Sequence, residues 1–80
     1  MDTDAFNNRA KLAVSKLTGV PVYGIYVVWT CKILENNKSL LATTESDGLY
    51  FEVTHNGHTG EMYVDKYKKQ LQDVIQIGER

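Results

Sequence analysis

The chain has 80 residues, 42% of them apolar and 24% charged, with a formal net charge of −1. That size suits one core, so residues 1–80 are expected to form a single domain, and the composition is that of a globular chain rather than a disordered or fibrous one. A lone cysteine excludes an internal disulfide and a cysteine-based zinc cluster, no apolar run nears the roughly 20 residues of a membrane span, and MDTDAFNNRA is too acidic and polar for a secretory signal. The expectation is a cytoplasmic protein that contacts no membrane.

Asp4 to Thr18 reads as a helix. Phe6, Ala10, Ala13, Val14 and Leu17 recur at three- and four-residue steps, Thr3 or Asp4 can cap the start, and Gly19 with Pro21 ends it. The following run, GIYVVWTCKIL, is rich in β-branched and aromatic residues and reads as a strand. Three turn signals come next: Asn36-Asn37, Asp47-Gly48 and Asn56-Gly57. Taken as two-residue loops, all three gather Ile25, Val27, Trp29, Cys31, Ile33, Leu40, Ala42, Phe51, Val53, Met62 and Val64 on one face. A second helix is expected over Asp65 to Gln76, with Tyr67, Leu71, Val74 and Ile75 as its stripe and Gly78 as its stop. The expected fold is α+β: a four-stranded antiparallel meander with N- and C-terminal helices packed on one face, in the order α-β-β-β-β-α.

The other sheet face then has no cover. It would carry Tyr26, Val28, Leu41, Tyr50 and Tyr63, together with Glu52 and Glu61, which this register sets opposite each other. Tyrosine suits interfaces because it joins apolar area to a polar tip, so these seven residues are the expected partner-binding face. Scattered exposed apolar residues are also ordinary, and a homodimer would compete for the same surface.

Other constellations are weaker. His55 and His58 flank the Asn56-Gly57 turn, but two ligands fall short of a protein metal site and the sequence places no third. Cys31, mid-strand on the expected core face, reads as a packing residue rather than a nucleophile. No phosphate-binding glycine loop is present. No metal, cofactor or catalytic set is therefore expected, and the chain reads as a non-enzyme. Charge is +1 over residues 1–20, −3 over 21–64 and +1 over 65–80. Only Lys66, Lys68 and Lys69 cluster, at the start of the expected second helix. Lysines in that place touch phosphates in double-stranded RNA binding domains, so a nucleic-acid module is the alternative, disfavoured by the acidic middle.

From Val27 to Lys69 the chain carries, in order, Val28-Trp29, Cys31-Lys32, Asn36 through Leu41, Asp47-Gly48 with Tyr50, Asn56-Gly57, and Tyr63 through Lys69. As an ordered set these pieces resemble a small uncharacterised family found in phages and prophages of Gram-positive bacteria. Met1 to Ile25 matches that family less closely. The resemblance carries no activity. It implies a setting in which small proteins bind and block a host protein, anti-CRISPR inhibitors among them. The expected function is thus a stoichiometric inhibitor of a host protein, with a self-associating structural or regulatory phage protein as a further alternative.

Overall fold

The computed structural model describes residues 1–45, 48–70, 73–75 and 78. Helix α1 spans Thr3–Thr18. Its cap is Asp2, ahead of both expected choices: the Asp2 carboxylate accepts a 2.8 Å hydrogen bond from the Ala5 N–H. Gly19 ends the helix in the left-handed region (φ 80°), and its N–H donates to the Ser15 carbonyl. A single 3-10 turn, Val22–Gly24, leads into four strands: β1 (Ile25–Ile33), β2 (Asn36–Thr43), β3 (Leu49–His55) and β4 (Met62–Lys68). They pair antiparallel in the order β1-β2-β3-β4, the expected meander.

The C-terminal helix does not appear among the described residues. Asp65 to Lys68 belong to β4, and residues 69, 70 and 73–75 have no regular structure. The remainder of that expected helix, including Leu71, Gln72 and Gln76, lies outside the described residues. Ladder pairing accounts for the strand: Val64, Asp65, Lys66, Tyr67 and Lys68 stand opposite Val53, Glu52, Phe51, Tyr50 and Leu49. Sheet hydrogen bonds override a helical stripe that the local sequence also permits.

The core lies between α1 and the sheet. Phe6, Ala10 and Val14, one helical turn apart, are fully buried against Ile25, Leu41, Phe51 and Val53. Burying a side chain such as Leu41 or Phe51 is worth about 1.5–3 kcal/mol. A polar clasp sits beside them. The Ser39 hydroxyl, itself fully buried, donates to Asn7 Oδ1 at 2.6 Å and shares a 2.7 Å hydrogen bond with Thr30.

One expected turn lies elsewhere, and the connection that contains Asp47-Gly48 is longer than two residues, with Asp47 itself outside the described residues; this rearranges the faces. The β1–β2 turn is Leu34-Glu35, with Leu34 at φ 56°, rather than Asn36-Asn37. β2 ends at Thr43 and β3 starts at Leu49, so the pairing is Leu41 with Phe51 and Ser39 with Val53. Relative to the expected register this is an odd slip, and an odd slip turns a strand over. β2 therefore presents Asn37, Ser39, Leu41 and Thr43 to the helix, with Leu40 and Ala42 on the far side. A bulge between Val27 and Trp29 splits β1. Ile25 and Val27 keep to the core, whereas Trp29, Cys31 and Ile33 share the far face with Leu40 and Lys38.

The β3–β4 connection is also longer than two residues, with His55 opposite Met62 rather than His58. Here the slip is even, so Phe51, Val53, Met62 and Val64 stay on the helix side as expected. Asn56 closes this loop. Its side-chain Oδ1 accepts from the His58 and Thr59 N–H groups, and its own N–H donates to the Glu61 carbonyl. The loop rests on the β1–β2 turn: the Gly57 N–H donates to Asn36 Oδ1 at 2.9 Å, and a Cβ at Gly57 would overlap the Glu35 carbonyl. Gly57→Ala should therefore destabilise the chain by about 1–3 kcal/mol, read as a lower urea midpoint at unchanged slope.

Candidate functional site: the open face of the sheet

Residues paired across antiparallel strands project to the same side, so the ladder defines the face that α1 leaves open. β1 contributes Tyr26, Trp29, Cys31 and Ile33; β2 contributes Lys38, Leu40 and Ala42; β3 contributes Tyr50, Glu52 and Thr54; β4 contributes Tyr63, Asp65 and Tyr67. Four aromatic side chains here are widely exposed, from 41% at Trp29 to 51% at Tyr26 and Tyr67, and Ile33 is more exposed still. Tyr50 and Leu40 are half-buried among them. A shallow cleft at one end is lined by Cys31, Ile33, Lys38, Thr54 and Tyr63.

Of the seven expected contact residues, Tyr26, Tyr50, Glu52 and Tyr63 share this face. Val28 is exposed at the bulge. Leu41 is corrected: it is fully buried under α1 because β2 is turned over. Glu61 lies in the β3–β4 loop, so it does not face Glu52, whose cross-strand neighbour is Asp65. The like charges of Glu52 and Asp65 are eased by Lys38, whose ammonium is 3.6 Å from Glu52. Glu61 still reaches the rim of the face, where the Tyr63 hydroxyl donates to its carboxylate at 2.8 Å.

Trp29, Ile33, Leu40 and Tyr67 are not among the seven expected contact residues. The expected register sets the first three on the core face, and the expected second helix takes up Tyr67. The adjacent apolar pair Leu40-Leu41 fits either orientation of β2, so alternation alone could not decide it.

The remaining candidates disperse. His55 lies beneath α1, its ring centroid 6.5 Å from that of Phe6, while His58 is exposed in the loop. Among the described residues no group of three metal-ligating side chains occurs. Lys66 and Lys68 stand on β4, on the helix side of the sheet, with Lys69 just beyond the strand; they do not start a helix. No helix among the described residues is long and apolar enough to cross a membrane.

A family model described as "Family of unknown function (DUF6275)" matches residues 3–77. The chain belongs to that family. The match takes in α1 as well as the sheet, and so covers more of the chain than the run from Val27 to Lys69. No curated protein and no solved structure matches the chain.

Two measurements check this geometry. Cys31 is exposed, contrary to its expected burial, so a thiol reagent should label the native protein stoichiometrically without denaturant. The hydrogen bond to Glu61 stabilises the neutral phenol and raises the Tyr63 pKa above 10.0. That bond persists below the ordinary phenol pKa and is lost as pH climbs through the raised value. Glu61→Gln should lower the Tyr63 midpoint in a tyrosinate absorbance titration.

Proposed function

We propose that this chain is a non-catalytic protein-binding module that docks a partner protein on its open sheet face. The observation that carries this reading is the exposed aromatic cluster of Tyr26, Trp29, Tyr63 and Tyr67 on a face with no covering element among the described residues. Aromatic residues dominate binding energy where they pack into desolvated contacts. Lys38 and Glu52 add a charge pattern that can fix orientation. The resemblance to proteins of phages and prophages supplies the setting: a cytoplasmic inhibitor that acts by stoichiometric binding to a host protein, in the manner of an anti-CRISPR factor.

Exposed aromatics on a sheet can also stack nucleobases. Charge argues against that use. The face carries Lys38 against Glu52 and Asp65, while Lys66 and Lys68 lie on its other side. A surface that captures phosphates by counterion release needs the opposite balance.

The test compares the wild-type chain with a Trp29→Asp, Tyr63→Asp double variant shown to be folded by circular dichroism. Tagged chains would be incubated with Gram-positive lysate, with and without nuclease treatment. One protein held near stoichiometry by the wild type, and at least about tenfold less by the variant, is the expected result. Equal capture by both chains, or capture that disappears with nuclease, would overturn the reading. A wild-type dimer that the double variant abolishes, with no lysate partner, would assign the face to self-association.

A further inference from the structure

On the opposite side of the sheet, α1 packs mainly over β1 and β2, and among the described elements none covers the flank toward β4. Two hollows lie in line there. One is bounded by Arg9 and Leu12 of α1 and by His55 and Met62 of the sheet. The next is bounded by Leu17 and Val20 and by Phe51, Val64 and Lys66. Helix and strand run in the same direction along this groove. Arg9 to Leu17 rises about 12 Å along α1. Met62 to Lys66 covers about 13 Å along β4, so the two walls match in length. Leu12 and Leu17 are 59% and 67% exposed, with half-buried Met62 and Val64 facing them across the groove.

The rim is basic. Arg9 stands at one end and Lys66 at the other, Lys68 follows on the same side of β4 beyond the hollows, and among the described lining residues Glu45 is the one carboxylate that opposes them. We infer that this groove takes an amphipathic helix from a partner protein, about three turns long, with carboxylates beside its apolar stripe. Leucine-like anchors at i, i+3 or i+4, and i+7 would meet Leu12, Leu17 and Val64, and acidic flanks would meet Arg9, Lys66 and Lys68. A second copy of this chain fits poorly, because α1 carries Arg9, Lys11 and Lys16 against Asp4 and would bring like charge. Nor do the described residues of the C-terminal segment occupy the groove: Val74 and Ile75 stand 72% and 80% exposed. The groove is independent of the open face, since the two lie on opposite sides of the sheet.

Two synthetic helical peptides test this on the full isotope-labelled chain. Both carry leucines at the anchor spacing; one has glutamates on its flanks and the other lysines. The glutamate peptide should shift the amide signals of Leu12, Leu17, Val64 and Lys66, leave Trp29 and Tyr63 unmoved, and bind at least about tenfold tighter than the lysine peptide. Leu17→Glu, at an exposed position compatible with folding, should abolish the shifts. A Lys66→Glu, Lys68→Glu variant should reverse the preference between the peptides. No shift at millimolar peptide, equal binding of both peptides, or shifts confined to the open face would overturn the inference. So would displacement of the peptide by a duplex oligonucleotide, or nuclear Overhauser contacts in the free protein between Ile75 and Val64, which would assign the groove to nucleic acid or to the chain's own tail.

Discussion

The arrangement of this domain depends on which way β2 faces. Leu41 points under Phe6 and Val14, and Ser39 reaches Asn7 on the same helix. Side chains alternate along a strand, so seating these two fixes the orientation of every β2 residue. Cross-strand pairing then passes that orientation to both neighbours. On one side Phe51 and Val53 follow Leu41 and Ser39 into the core; on the other Trp29, Cys31 and Ile33 follow Leu40 and Lys38 outward. The bulge near Val28 reconciles this with a buried Ile25 by changing the parity of β1 once. A polar residue thus helps to choose the face. Buried Ser39 is satisfied only when it lies toward Asn7 and Thr30.

Much of the fold was legible in the sequence. The apolar stripe of α1, its Gly19 stop and the four-strand meander all follow from periodicity and turn chemistry. The partition of the sheet into faces was less so, because it turns on loop lengths. Asn56-Gly57 marks a real turn, but its residues serve a longer loop that caps itself through Asn56 and leans on Glu35. Its even slip kept β4 on the right side. The β2–β3 connection changed parity and reversed β2. Asn36 and Asn37, whose residue type suits a turn, are instead an acceptor for the Gly57 N–H and a buried strand residue. Long-range packing decided their use, and no local signal encodes it. The lysines after Val64 and the apolar residues beyond them show the same limit: a helical stripe was available, yet pairing with β3 claimed the first part of it.

The two sides of the sheet have become chemically distinct surfaces. The open side combines aromatic area with a slight acidic excess, through Glu52 and Asp65 beside Lys38. The side toward α1 ends in a leucine- and valine-lined trough with a basic border. Alternation along β4 produces both at once: Tyr63, Asp65 and Tyr67 go one way, Val64, Lys66 and Lys68 the other. β4 therefore adds an acidic residue to one surface and basic residues to the other.

The seat of Gly57 on Glu35 bears on how the molecule opens. Consecutive strands are paired throughout, so each hairpin could in principle melt by itself, as local contacts permit. The contact between the β3–β4 loop and the β1–β2 turn ties the first hairpin to the second at one end of the sheet. At the other end the Thr44 N–H donates to Gly24 and the Lys69 N–H to Gly48, holding the start of β1 and the end of β4 to the β2–β3 connection. With both ends pinned, fraying of one edge must break contacts with its neighbour. Slow amide exchange would then be shared across the sheet as one cooperative foldon, and a chain this small gains all-or-none behaviour that its modest core alone would support only weakly.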